Sequence, residues 1–101
     1  MLFAQAVDME RLKESSVRMV EITMPCELGF HLRVVARFVK CVRQFRSIVR
    51  VRKGKISADG KNILGLLLLA AAWKSKLVFE IQGDDVEETI AGIKAFFQTE
   101  H

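Results

Sequence analysis

The apolar and polar residues of this chain alternate with two different periods, and each period predicts one type of element. Val20, Ile22 and Met24 alternate with polar residues, which predicts an opening strand within 17–24. After His31 the period changes to that of a helix of roughly twelve residues. Its apolar stripe, with spacings of three and four, consists of Val35, Phe38, Val39 and Val42.

Two further stretches carry the strand pattern. Two short runs within 47–60 flank Lys53-Gly54, and this arrangement predicts a β-hairpin. The segment LVFEIQ, residues 77–82, alternates apolar and polar side chains and predicts the last strand.

Two further helices are predicted from capping residues and apolar stripes. Asn62 is placed to cap a short helix that begins at Ile63. Asp84, with Glu87 three residues later, matches a capping box before the final helix. The apolar stripe of that helix consists of Val86, Ile90, Ile93 and Phe97.

The predicted order is therefore strand, helix, strand, strand, helix, strand, helix. Two right-handed strand–helix–strand units of this kind place three helices on one face of a four-stranded antiparallel sheet, which is an α+β open-faced sandwich. This domain is predicted over 17–101. Residues 1–16 form an N-terminal extension, either without fixed structure or as a short amphipathic helix. The apolar residues of that helix are Leu2, Phe3, Ala6, Met9 and Leu12.

Composition and charge narrow the classes of function. Sixteen basic and twelve acidic residues give a net charge of +4, which suits an acidic partner surface or phosphate chemistry. No apolar run approaches the ~20 residues of a membrane-spanning helix, and the N-terminus lacks the pattern of a secretory signal, so we expect a cytoplasmic protein. Cys26 and Cys41 lack metal-ligand spacing and are expected to be reduced thiols. We expect neither a metal nor another cofactor.

A nucleic-acid-binding function is disfavoured by the same sequence. The predicted hairpin is rich in Lys and Arg, but charge on an exposed strand face is ordinary. Phe79 is the only aromatic residue of the predicted strands, whereas proteins that bind single strands on a sheet stack bases on several aromatic side chains. We therefore expect no nucleic-acid partner.

The most informative residue for chemistry is His31, with Gly29 two residues before it and Arg33 two residues after it. Histidine can accept a phosphoryl group, whose oxygens need preorganised donors. The first turn of a helix supplies backbone N–H groups, arginine adds a planar set of donors, and glycine permits a positive φ or a close approach. The pattern is compatible with phosphoryl transfer through His31, although on spacing alone a structural histidine is the more common case. The alternative is a histidine that only caps the helix or is a partly buried polar residue.

Three segments in the same order carry a resemblance to a known family. They are LGFHLRVVARFVK, DGKNILGLLLLAA and LVFEIQGDDVEETIAGI. They resemble the active-site signature, the second motif and the closing strand and helix of the histidine-containing phosphocarrier (HPr) proteins of the bacterial phosphoenolpyruvate-dependent sugar phosphotransferase system. The resemblance covers about residues 17–98 and implies the same βαββαβα fold, while residues 1–16 have no counterpart.

The resemblance also implies a function. His31 would be phosphorylated on Nδ1, with Arg33 and backbone amides stabilising the phosphoryl oxygens. The protein would be a monomeric, stoichiometric carrier rather than a turnover enzyme, taking the group from enzyme I and passing it to an enzyme II A-type protein. A docking face beside Arg33 would be formed by Arg37, Lys40, Ile63, Leu64 and Leu68. Burial in the core is the alternative for the leucine row, and we assign most of that row to the core.

Two positions depart from the family's pattern. Val34 replaces a proline expected at the first helical position, and Val35 follows where alanine is common. Valine restores a backbone N–H, and we expect it to loosen the first turn and add bulk near the imidazole. Asn62 replaces the serine that carries regulatory phosphorylation in some branches, so we do not expect this regulation. Val34 keeps an alternative open, a regulatory binding module that docks a partner with little or no phosphotransfer.

Overall fold

The computed structural model describes residues 17–27, 29–69 and 74–99, and the helix predicted within 1–16 lies outside these residues. The elements are β1 (Arg18–Thr23), α1 (Leu32–Val42), β2 (Ile48–Lys53), β3 (Ile56–Asp59), α2 (Ile63–Leu68), β4 (Lys76–Gln82) and α3 (Val86–Thr99). This is the predicted βαββαβα order. Within the described ranges, no helix is long and apolar enough to cross a membrane.

The four strands form one antiparallel sheet with the order β1-β4-β2-β3. The last strand, β4, therefore lies between β1 and β2, and Phe79 is paired with Val20 on one side and with Val51 on the other. Each strand–helix–strand unit skips one strand position, which lets all neighbouring strands run antiparallel. The predicted open-faced sandwich is confirmed.

One apolar core fills the space between the sheet and the helices. The alternation predicted for β4 is confirmed, because its inward-facing side chains are fully buried. These side chains are Leu77, Phe79 and Ile81. At the centre, the rings of Phe30, Phe38, Phe79 and Phe97 lie with neighbouring centroids 5.5–6.1 Å apart, in tilted and edge-on arrangements.

Two local predictions are wrong by one residue. The hairpin turn is Gly54-Lys55 rather than Lys53-Gly54, because Lys53 still pairs with Ile56 in the ladder. Gly54 has a φ of 60°, the left-handed conformation that such a tight turn requires. The final helix begins at Val86 and not directly after Asp84.

Asp85, the residue directly before α3, connects this helix to the chain segment that enters β2. Its carboxylate accepts hydrogen bonds from the backbone N–H groups of Arg46 and Ser47, at 2.8 and 2.9 Å, and from the Ser47 hydroxyl at 2.5 Å. These hydrogen bonds, the one from the Ser47 hydroxyl first, lower the pKa of Asp85 to about 2. The sequence predicted a local helix cap at Asp84. In the structure, the neighbouring Asp85 carboxylate instead joins the start of α3 to a segment that is distant in sequence.

Candidate functional site

The loop before α1 holds the backbone of His31 through its two preceding residues. Gly29 has a φ of 75°, one of the two roles predicted for it, and its N–H donates to the Cys26 carbonyl at 2.9 Å. The Gly29 carbonyl accepts from the His31 N–H at 3.0 Å. Phe30 is buried and packs against Phe38. The turn and the aromatic anchor together fix where α1 begins.

Phe30 lies in the same loop, and no role was predicted for it from the sequence. The signal was its residue type, because phenylalanine is among the residues most often found buried. Phe30 is buried in the structure, so the position of His31 depends on core packing.

His31 occupies the N-cap position of α1, with an extended backbone (φ −94°, ψ 175°). Its side chain makes no capping hydrogen bond to the described start of the helix, and the imidazole is half-buried. Histidine is uncommon as a capping residue, since Ser, Thr, Asp and Asn do this work better. The ring nitrogens of His31 are therefore not used to cap the helix.

The start of α1 presents backbone donors beside this imidazole. The first bond of the helix joins the Val35 N–H to the His31 carbonyl at 2.8 Å. The N–H groups of Leu32, Arg33 and Val34 precede that bond and lie at the positive end of the helix dipole. The first turn contains no acidic residue, and the Arg33 side chain is exposed on it. This arrangement suits an anionic group next to His31.

Val34 lies at the third position of α1 and not at the first helical position, because His31 is the cap and Leu32 begins the helix. The first helical hydrogen bond has an ordinary length, and the loosening of the first turn expected from the missing proline stays a prediction. The side chains of Val34 and Val35 are both buried in the core. The bulk of Val34 is therefore accommodated by the core.

The side chains predicted to form a docking face lie on α1 and α2, which pack against each other. The basic members on α1 are all exposed, namely Arg33, Arg37 and Lys40. On α2 the exposed apolar members are Ile63, Leu64 and Leu68, and the last two have 65% and 72% of their surface exposed. The two groups therefore lie on neighbouring helices of the same layer.

The leucine row divides between the core and the surface. Leu66 and Leu69 are buried, whereas Leu64 and Leu68 are exposed, so the assignment of most of the row to the core is only partly right. The exposed leucines leave apolar side chains on the outer surface of α2.

Asn62 caps α2 as predicted. Its Oδ1 accepts a hydrogen bond from the Gly65 N–H at 3.1 Å, and its extended backbone is that of an N-cap residue. The cap of α2 is thus a side chain that accepts through an amide oxygen and carries no hydroxyl group.

The described residues include no group of three or more His, Cys, Asp or Glu side chains placed to hold a metal ion. Cys26 and Cys41, both among the described residues, form no disulfide bond. Cys26 is buried, and partial burial raises the pKa of the Cys41 thiol.

Comparisons with known proteins agree with this fold. The family model described as the PTS HPr component phosphorylation site matches residues 19–99. The phosphocarrier protein HPr of Neisseria meningitidis serogroup A is 36% identical over 67 residues, which make up 66% of this chain and 75% of that protein. The HPr-like protein Crh of Bacillus subtilis is 28% identical over 80 residues, covering 79% of this chain and 94% of Crh.

Among solved structures, the crystal structure of HPr-C-His from Thermoanaerobacter tengcongensis superimposes with a TM-score of 0.78. The two chains are 27% identical, and the match covers 81% of this chain and 92% of that one.

Proposed function

Since this chain belongs to the HPr family of phosphocarrier proteins, we propose that His31 accepts a phosphoryl group from enzyme I of the phosphoenolpyruvate-dependent phosphotransferase system. The observation that carries this proposal is the position of His31 at the start of α1. There its imidazole is not used as a cap, and the N–H groups of the first turn precede the first helical bond. The exposed Arg33 guanidinium on the same turn adds further donors.

The transfer step exchanges one nitrogen–phosphorus bond for another. The unprotonated Nδ1 of His31 attacks the phosphorus of phosphohistidine on enzyme I, and the imidazole of enzyme I leaves with the electron pair of the broken bond. Arg33 and the leading amides stabilise the negative charge on the three phosphoryl oxygens. A second exchange passes the group to an enzyme II A-type protein. His31 then returns to its starting form, so the protein is a stoichiometric carrier that needs no cofactor.

The exposed surface of α1 and α2 serves as the docking face in this proposal. Arg37 and Lys40 attract acidic partner surfaces, and the apolar side chains of α2 are buried on contact. These apolar side chains are Ile63, Leu64 and Leu68. In this proposal enzyme I and the acceptor use this face in turn, and the protein acts as a monomer that meets its partners in the cytoplasm.

The test uses phosphoenolpyruvate and an enzyme I, followed by intact-mass measurement of this protein. The wild type is expected to gain the mass of one phosphoryl group, labile in acid and stable in alkali. The chain has two histidines, so His31→Ala is compared with His101→Ala as a matched control. His31→Ala should gain no mass and His101→Ala should behave as the wild type. An unmodified wild type, or a phosphorylated His31→Ala, would overturn the proposal.

A second candidate is a regulatory binding module that docks a partner without transferring phosphate. The similarity to the HPr-like protein Crh and the replacement of the family's proline by Val34 favour it. Asn62 cannot be phosphorylated, so such a module would act without modification at this position. A wild type that takes no phosphate, yet loses binding to a partner when Leu64 or Leu68 is replaced by Asp, would identify this function.

A further inference from the structure

The sheet face opposite the helices carries an apolar patch at one end. Val49 and Val51 are buried beneath the helices, so alternation places Ile48 on the other face, and Met19, next to the inward Val20, lies there too. The patch consists of Val17, Met19 and Ile48, which have 44%, 65% and 62% of their surface exposed. We call these three residues the open-face patch.

Two shallow depressions make the open-face patch continuous with the rest of the sheet. Val17, Ile48 and Arg50 line one depression of about 160 Å³ together with residues of β4. Ile48 and Arg50 also line a second depression of about 240 Å³ that reaches Ser57 and Asp59 on β3. The surface therefore extends from the start of β1 across β2 to the edge of the sheet.

We propose that residues 2–12 of this chain cover the open-face patch as an amphipathic helix. Residues 1–16 lead directly into Val17, which is itself part of the patch. A helix over 2–12 would be about 16 Å long, close to the ~14 Å between the outer strands of a four-stranded sheet. The linker 13–16 reaches up to ~14 Å, enough to turn back over the sheet.

The amino-acid composition of residues 2–12 suits contact with the open-face patch. Its apolar residues recur at helical spacing, namely Leu2, Phe3, Ala6, Met9 and Leu12. So short a helix is unstable alone in water and forms when an apolar surface receives it. The helix over 2–12 contains two acidic residues, Asp8 and Glu10, and one basic residue, while the sheet face carries the exposed Arg50 and Arg52. Arg52 is paired with Glu80, and in this proposal the exposed Arg50 faces Asp8 or Glu10.

Tethering favours this segment over a separate partner. A short linker gives a covalently attached segment an effective concentration in the millimolar range, above that of a second copy or another protein. The patch lies at the opposite end of the six-residue β1, and on the other face of the sheet, from the loop that leads to His31. Covering it leaves the proposed phosphoryl site accessible, so this inference does not depend on the proposed function.

The experiment uses the full chain with 13C-labelled methionine methyl groups. Met9 is in the segment, Met19 is in the patch, and Met24 is in the core, where it reports correct folding. In the wild type we expect nuclear Overhauser effects between the Met9 methyl and Ile48. Ile48→Lys should abolish them and move the Met9 signal to the position of solvent-exposed methionine. Ile48→Lys should also speed tryptic cleavage within 11–13 by roughly tenfold or more. A tenfold change corresponds to about 1.4 kcal/mol of lost docking free energy.

The matched control is Ile56→Lys on β3, where an isoleucine with 57% exposure lies outside the patch. It should leave the Met9 signal and the cleavage rate unchanged, and both variants should keep the Met24 signal. A wild-type Met9 signal already at the solvent-exposed position would overturn the proposal. Met19 signals that change with protein concentration, together with a dimer in sedimentation, would assign the patch to a second copy and overturn it as well.

Discussion

The Phe30 ring packs edge-on against the Phe38 ring, with centroids 5.5 Å apart and an interplanar angle of 67°, one residue before the histidine proposed to carry phosphate. Phe30 also lies 6.1 Å from the Phe97 ring of α3. The loop that presents His31 is therefore attached to both long helices of the domain. Core packing and the position of the imidazole are coupled through this one side chain.

Replacing Phe30 tests that coupling. Phe30→Ala should lower the free energy of unfolding by about 3–5 kcal/mol, the usual cost of deleting a buried phenylalanine, and slow phosphorylation by enzyme I per folded molecule. Urea denaturation and initial phosphorylation rates measure the two effects. Phe30→Leu should restore most of the free energy of unfolding and most of the phosphorylation rate. A destabilised Phe30→Ala protein whose folded fraction is phosphorylated at the wild-type rate would mean that Phe30 has no positioning role.

Arg33 should affect phosphotransfer without affecting stability. Its side chain is exposed, so Arg33→Ala should leave the urea midpoint unchanged. The loss of one charge-stabilising donor set should reduce kcat/KM for phosphorylation by roughly tenfold to a hundredfold. The kcat/KM of Arg33→Lys should lie between those of the wild type and Arg33→Ala, because lysine keeps the charge but not the planar donors. Arg50→Ala, on the other face of the sheet, is the control, and an equal loss there would point to a general charge effect.

The periodicity of apolar residues predicted most of the helices and strands, because each pattern is contained in a short stretch of sequence. The stripe with Phe38 and the alternation around Phe79 each show, within ten residues, which side of the element is buried. The site was predictable for a similar reason. Gly29, His31 and Arg33 are close in sequence, so a turn followed by a helix brings their chemistry together.

What the sequence did not show depends on distant partners. Asp85 receives hydrogen bonds from residues almost forty positions earlier, and nothing near it in sequence distinguishes it from Asp84. In α2 every residue is apolar apart from one glycine, so no polar side indicated that Leu66 would be buried and Leu68 exposed. Both features are set by tertiary packing.

Val34→Pro tests the departure from the family's pattern. The Val34 N–H precedes the first helical hydrogen bond, so proline removes no bond within α1. Because the ring replaces much of the buried valine, stability should change by less than about 1.5 kcal/mol. We expect faster phosphorylation by an ordinary enzyme I. An unchanged or slower rate, measured with the same enzyme I for both proteins, would mean that valine suits a dedicated partner.

Asn62 should stabilise α2 through its cap. Asn62→Ala removes the bond to the Gly65 N–H and should cost about 1 kcal/mol in urea denaturation. Asn62→Ser keeps an oxygen acceptor at the N-cap and should be close to the wild type. If the alanine variant is as stable as the serine variant, the cap contributes nothing measurable to folding.

Asp85 should make stability depend on pH in the acid range. Its pKa is lowered in the folded protein to about 2, against ~3.9 in an unfolded chain, so folding favours the ionised carboxylate. The resulting stabilisation is fully present above about pH 4 and is lost as pH falls through about 2. Urea midpoints measured from pH 7 to pH 2 should therefore fall for the wild type. Asp85→Asn should be less stable at pH 7, and its difference from the wild type should shrink below about pH 4.

The neighbouring Asp84 provides the matched control for this pH profile. It is exposed and lies one residue earlier, so Asp84→Asn changes the net charge by the same amount without removing the bonds to Arg46 and Ser47. Its midpoints should follow those of the wild type at each pH. If the two variants gave the same profile, the acid dependence would come from the charge of the whole domain. A loss confined to Asp85→Asn would assign it to the link between α3 and the segment entering β2.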